Sequence, residues 1–240
     1  MGFPYWYIDQ YYLILVVPAM LIALFAQARV SSAFNRYSRV MSSRGITGRE
    51  AAQMILKQNG VTDVRFEQAG GRLSDHYDPR SNTIRLSEGV DNSRSVAAIG
   101  VACHEAGHAL QYAEGYSPIK LRNAIIPVTS IGSQLSVPLI LLGFFFGGNL
   151  AFLVNVGLVL FGSVAVFQLI TLPVEFNASS RAIAALEQGR LLDDDELRGA
   201  QKVLSAAALT YVAALITAVA NLLRLILLFG GRGSSNRKRG

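Results

Sequence analysis

The chain has a single cysteine, Cys103, so no disulfide can form within it, and the cysteine-rich closed shell that structural zinc sites favour is excluded. A chain without disulfides suits a reducing compartment. Histidine is almost as scarce, with three residues in 240. Charge is thin too: Asp, Glu, Lys and Arg make up 16% of the chain, against about a quarter in ordinary soluble domains, while hydrophobic residues make up 51%. What charge there is leaves long gaps. Gln10 to Ala28 carries none, residues 123–174 carry none, and neither does Val203 to Leu223. A membrane-spanning helix needs about 20 apolar residues, so these blocks hold one, two and one spans. The composition is that of an integral membrane protein with no internal repeat or low-complexity run. The net charge of +6 sits largely on arginines that flank a span and are not interleaved with exposed aromatics. That pattern fits contact with an anionic lipid bilayer and not nucleic-acid binding.

The middle block breaks at Gly147-Gly148-Asn149, which predicts a helical hairpin with arms Asn123 to Phe146 and Leu150 to Pro173. Pro127 and Pro138 fall in the first arm, where tight packing is expected around them. The first apolar block lacks the basic n-region and small-residue cleavage site of a signal peptide. Arg29, Arg36, Arg39, Arg44 and Arg49 follow it and only Asp9 precedes it, so the positive-inside rule puts the next segment in the cytoplasm. A fourth span from Val203 would carry Arg232, Arg237, Lys238 and Arg239 outside, against that rule; either the tail is tolerated there or the helix, interrupted by Arg224, stops short.

The expected organisation is a first transmembrane helix in 1–28, a cytoplasmic catalytic segment in 29–122, and a transmembrane hairpin in 123–174. A cytoplasmic helix in 175–202 and a last transmembrane helix with a basic tail in 203–240 follow. Within 29–122, Thr47 and Glu50 form a capping box ahead of Ala51, Ala52, Ile55 and Leu56 at helical spacing, and Gly60 offers a stop. VRFEQ, RLSDHYD and TIRLS between Val64 and Glu88 read as a small sheet. Asn92 or Ser93 is the expected cap of a helix of about five turns that ends near Gly115 and Ser117-Pro118.

That helix contains VACHEAGHALQ, residues 101–111. Histidines four apart lie on one helix face and can reach one ion at about 2.0 to 2.1 Å, with Glu105 directed at a water on it. The pattern takes two of the three histidines in the chain, His104 and His108, which argues against a chance polar stripe on a buried helix. A catalytic zinc usually has three protein ligands and an open position. Glu114 stands where a metzincin has its last ligand, but Gln111 replaces the glycine that turns the chain back, and on an unbroken helix Glu114 faces away. His76 is chemically able and lies in a segment read as a strand. Glu175, in LPVEFNASS, is read in the first turn of a new helix opened by Pro173, and a carboxylate there favours a His₂Glu site.

HEAGHALQ, the upstream SDHYDPRSNTIRLS and the downstream PVEFNASSRA together resemble the YugP-like family of membrane zinc metallopeptidases over nearly the whole chain. More distantly the chain is similar to HtpX-like and CAAX-prenyl-type membrane peptidases, in which a hydrophobic hairpin separates HExxH from an ExxAD helix. The resemblance implies Zn²⁺ held by His104, His108 and Glu175, with Glu105 as catalytic base. Ser179 stands where the distant relatives have aspartate, which leaves Asp75, Asp78, Asn177 or Ser179 itself to orient an imidazole. The implied reaction is hydrolysis of a protein or peptide substrate by a zinc-activated water. His76 and Tyr77 are the candidate donors to the oxyanion, and the strand Thr83 to Ser87 could pair with an extended substrate.

The expected fold is therefore a mostly α membrane protein with about four transmembrane helices and a small α+β gluzincin-like zinc peptidase segment, multi-pass in the cell membrane with its site on the cytoplasmic side. Arg94, Glu114, Lys120 and Arg122 flank HEAGH too closely for that helix to span a membrane. The competing reading is an inactive membrane scaffold or zinc-binding adaptor that keeps the motif. Cys103 reads as a small buried thiol, Asp193 to Glu196 as a solvated helix start, and Arg224 as a snorkelling side chain.

Overall fold

The computed structural model describes residues 9–71 and 74–230. Arg72 and Leu73 of the RLSDHYD segment, and the basic residues of the tail, lie outside the described residues. The fold is mostly helical. Four helices are long and apolar enough to cross a membrane: Tyr12–Tyr37, Ser117–Phe146, Gly148–Gln188 and Asp194–Phe229. The first opens with a π turn, Tyr12–Val16, and continues as α1, Val17–Tyr37. The others contain α5 (Ser117–Phe146), α6 (Phe152–Gln188) and α7 (Asp194–Phe229). Between α1 and α5 come α2 (Gly48–Gln58), strands β1 (Arg65–Ala69), β2 (His76–Asp78) and β3 (Thr83–Ser87), the short α3 (Glu88–Asp91), and α4 (Val96–Ala113).

The chain divides into two compact units. The described residues of the first are 9–25, 121–172 and 211–230. Its hairpin turns where predicted, with both Gly147 and Gly148 in the left-handed region at φ 52° and 50°, which a side chain would strain. The two arms approach through small residues: a Cβ on Gly132 would lie 2.6 Å from the Leu160 carbonyl, and one on Gly157 2.6 Å from that of Ser136. Pro127 and Pro138 interrupt neither α5 nor its continuity. Both prolines and most residues beside them are exposed, so the tight packing expected around them is not found; near Pro138 only Ser136 and Ile140 are buried. Large apolar side chains such as Val159, 75% exposed, point outward, as lipid-facing residues do.

Arg224 does not merely snorkel. Its guanidinium meets the Asp9 carboxylate at 2.7 and 2.8 Å and lies 5.1 Å from the centre of the Tyr12 ring, with both charged side chains mostly buried. Burial opposes ionisation of Asp9, but the hydrogen bonds from Arg224 and the Tyr12 N–H together with the Arg224 charge outweigh it, lowering the carboxyl's pKa. α7 runs through this position unbroken to Phe229.

The second unit, Ala26–Lys120 with Pro173–Thr210, contains the sheet and a continuous core. Ile55 and Leu56 from α2, Ile84 and Leu86 from β3, Ile99, Ala102 and Ala106 from α4, Leu186 from α6 and Leu204 from α7 all belong to it. The capping box of α2 forms as read, with the Glu50 N–H on Thr47 Oγ1 at 3.2 Å and the Thr47 N–H on Glu50 Oε2 at 2.8 Å. α4 is apolar apart from its histidines, Glu105, Gln111 and the Tyr112 hydroxyl, as a helix surrounded by protein must be. Its cap is Ser95, whose hydroxyl accepts from the Ala98 N–H at 3.3 Å, and not Asn92 or Ser93. The difference arises because α3 occupies residues 88–91 and Asn92 closes that helix instead.

Sheet order corrects the expectation for the strand before the active helix. β3 is central, paired parallel with β1 and antiparallel with β2, so both its edges are filled. The acidic start of α7 is exposed at Asp193, Asp194 and Asp195, as read, and buried at Glu196. Asp193 and Glu196 cap one another, and Glu196, 6% exposed, also accepts the Ser43 N–H at 2.6 Å, tying the α1–α2 connection to α7. A bidentate pair from Arg49 to Asp91, at 2.6 and 2.7 Å, closes α2 onto α3.

Candidate metal centre

The site forms where α4 crosses α6. On α4, the four-residue spacing puts the His104 and His108 rings side by side, their centroids 4.8 Å apart. Glu175 comes from α6, which runs unbroken from Phe152 to Gln188 with Pro173 inside it. The reading of a new helix opening at Pro173 is thus corrected: the proline removes one hydrogen bond, and buried neighbours Thr171, Val174, Ala178 and Ala182 keep the helix packed on both sides of it. Glu175, 4% exposed, meets both rings through one oxygen: Oε2 is 3.3 Å from His104 Nε2 and 3.4 Å from His108 Nε2.

Two helices come this close because of Gly107, the glycine of HEAGH. A Cβ there would stand 2.4 Å from the Ala178 carbonyl oxygen. Gly107→Ala is therefore expected to push α6 off α4, lowering stability by about 1–3 kcal/mol and separating Glu175 from the histidines. Thermal unfolding and metal content of the purified variant both check this.

The other nitrogen of each ring is also held. His104 Nδ1 is 3.1 Å from Ser179 Oγ, and His108 Nδ1 is 3.0 Å from Gln111 Oε1. With each Nδ1 carrying the proton, both Nε2 lone pairs face Glu175. Gln111 is wholly buried, and its amide donates to the Val174 carbonyl at 2.8 Å and to Asn177 Oδ1 at 2.9 Å, which fixes its oxygen toward His108. Asn177 Oδ1 is held in turn by Arg181 Nε at 2.7 Å. Of the four residues considered as orienters, Ser179 contacts an imidazole directly and Asn177 acts through Gln111. Asp75 is bound to Ser87 and Asp78 to Arg80, Ser81 and Arg85. Gln111 enters the sequence argument only as the residue that breaks a metzincin pattern. Its position three after His108, on the face of the helix that carries the histidines, was the available signal.

Glu105 is 8% exposed and accepts the Tyr77 N–H through Oε2 at 3.0 Å. The negative groups leave their mark on His108: burial disfavours its charged form, yet the Glu175 hydrogen bond and the charge of Glu105 outweigh burial and raise its pKa. The field that draws a proton onto this ring also draws a cation.

Residues 12–230 match the family described as "Putative neutral zinc metallopeptidase". The chain belongs to this zinc metallopeptidase family. Its sequence is also 46% identical, over 218 residues, to a Bacillus subtilis (strain 168) protein named "Putative membrane protease YugP", covering 91% of this chain and 96% of that one. No solved structure matches significantly.

Zinc is the family's metal, and the donors at this site fit it. Two imidazole nitrogens and a carboxylate oxygen are the ligand types of a catalytic zinc site. Ligand bonds of about 2.0–2.1 Å in a tetrahedron set ligand atoms about 3.3–3.4 Å apart, and the His104–Glu175 and His108–Glu175 separations are 3.3 and 3.4 Å. Among the described residues, His104, His108 and Glu175 are the group of three side chains placed so that they could hold one metal ion.

The remaining candidates fall elsewhere. Glu114 is paired with Arg181 at 2.6 Å on the exposed side of the helix. His76 is exposed on β2, with Nδ1 donating to the Ser74 carbonyl at 2.8 Å. Tyr77 turns its hydroxyl to Asn82 Oδ1 at 2.7 Å and its ring to Tyr112, and burial pushes its pKa up to about 12. Cys103 is fully buried, and burial alone drives its thiol pKa far up, as an inert packing residue requires.

Proposed function

We propose that the chain is an active membrane zinc endopeptidase with a gluzincin-like site. In this reading His104, His108 and Glu175 hold the ion and Glu105 is the general base. The observation that carries it is the convergence of the three side chains at zinc-ligand spacing beside a buried glutamate. Bound zinc supplies Lewis acidity, which lowers the pKa of water toward about 7 and polarises a carbonyl.

Glu105 takes the proton of the attacking water and delivers it to the leaving amine. The Tyr77 N–H holds one carboxylate oxygen and fixes its direction. Ser179 and Gln111 keep the imidazoles in the tautomer that presents Nε2. Of the two candidate oxyanion donors, Tyr77 has its hydroxyl engaged by Asn82, so its part is through the backbone N–H that positions Glu105. His76 already donates from Nδ1, so its Nε2 donates to an oxyanion only when the ring is protonated. An extended substrate would lie along β2, an edge strand whose Tyr77 N–H faces Glu105, and not along β3.

The site belongs at the cytoplasmic membrane surface by the arginines that follow the first span, acting on membrane or misfolded proteins. The Asp9–Arg224 pair supports four complete crossings, since it brings the start of the first helix and the end of the last together.

The test is metal and activity together. Detergent-purified protein should hold about one zinc per chain and cleave casein, lose both to a chelator, and regain both when zinc is returned. Zinc retained with no hydrolysis of casein or of the chain itself would favour the scaffold. Gln111→Leu, which strips His108 of its acceptor, should weaken zinc affinity about 10- to 100-fold in a chelator competition assay.

A further inference from the structure

Four cationic side chains that no part of the catalytic site uses line one groove of the second unit. Arg29 and Arg36 come from α1, Arg198 and Lys202 from α7, and the groove between them has a volume of about 610 Å³. Among the described residues no carboxylate lines it. Asp195, just outside, pairs with Arg198 but is itself almost fully exposed. Ala206 and Leu209 supply an apolar wall, and Leu209 is itself exposed.

Placement along the two helices gives the groove its meaning. Arg29 is the first charge after the uncharged run Gln10 to Ala28, and Lys202 is the last before the uncharged run Val203 to Leu223. Both helices thus change from polar to membrane-spanning composition at this groove. Cations at such a boundary sit at the depth of lipid phosphates, where each strengthens attraction to an anionic headgroup about fivefold. A soluble anion would have no use for the apolar wall, whereas a phospholipid has chains to lay against it.

We infer that this groove is a binding site for the headgroup of an anionic phospholipid, held by Arg29, Arg36, Arg198 and Lys202. The lipid phosphate meets the cations and the upper acyl chain covers Ala206 and Leu209. A lipid bound there bridges α1 and α7.

The full chain, purified in detergent, would be incubated with equimolar phosphatidylglycerol and phosphatidylcholine of the same acyl chains, and retained lipid counted by native mass spectrometry. Phosphatidylglycerol should be retained selectively. Arg36→Gln, Arg198→Gln and Lys202→Gln combined should lower that selectivity about tenfold or more. A charge-matched variant, Arg39→Gln, Arg44→Gln and Lys57→Gln combined, should keep it, as should Arg36→Lys, Arg198→Lys and Lys202→Arg, which preserves charge in the groove.

Equal retention of the two lipids by the wild type would overturn the inference. So would an equal loss in the charge-matched variant, which would mean a diffuse field, or displacement of the lipid by inorganic phosphate, which would mean a soluble anion site. Circular dichroism of each variant separates loss of binding from loss of fold. Because lipid retention is read without activity or metal, the result stands independently of the peptidase reading.

Discussion

Glu105→Gln is expected to keep its zinc and lose about 10²–10⁴ of its peptidase rate. The substitution preserves side-chain volume, and the amide oxygen can still accept the Tyr77 N–H that now meets Oε2 at 3.0 Å. It removes the basic oxygen that, in the proposed reaction, takes a proton from water. The two imidazoles proposed as ligands take their orientation from Ser179 and Gln111, not from Glu105. Zinc content by mass spectrometry and casein cleavage measured on one preparation test both halves. A variant that still cleaves at the wild-type rate would remove Glu105 from the role of base, and one that loses its zinc would make it a positioning residue for the metal.

Glu175→Ala should abolish stoichiometric zinc and, with it, all activity. The carboxylate is the shared contact of both imidazoles, and its removal leaves two of the three proposed ligands, where a catalytic zinc usually has three. His76→Ala, by contrast, should retain zinc, because that ring is exposed on β2 and turned to the Ser74 carbonyl. Atomic absorption on the two variants distinguishes the alternatives: zinc lost from His76→Ala and kept by Glu175→Ala would reverse the ligand assignment. Glu175→Gln serves as the volume-matched control, and its expected loss of zinc would tie the effect to charge and not to a cavity.

Much of this arrangement was legible in residue order. Long uncharged runs mark the spans because a bilayer offers no partner to a charge, and Gly147-Gly148 marks the hairpin because both residues need a left-handed backbone. HEAGH declares its own geometry, since four-residue spacing is a property of the helix alone. What misled was local signal overruled by packing. Pro173 looks like a helix start, yet α6 passes through it; Asp193 to Glu196 looks solvated, yet Glu196 is buried against Ser43. Arg224 looks like a snorkelling cation until Asp9, 215 residues away in sequence, is found beside it.

The sequence by itself determined that this chain lives in a membrane, that His104, Glu105 and His108 share one helix, and that Gly107 allows another helix to approach. Tertiary structure alone decided that α6 is that helix, that Ser179 and Gln111 orient the two imidazoles, and that β3 is buried at the centre of its sheet with β2 at the edge beside Glu105. The reason is physical: periodicity within one element is set by neighbours along the chain, whereas the approach of Glu175 to His104 spans 71 residues and depends on how two packed helices cross.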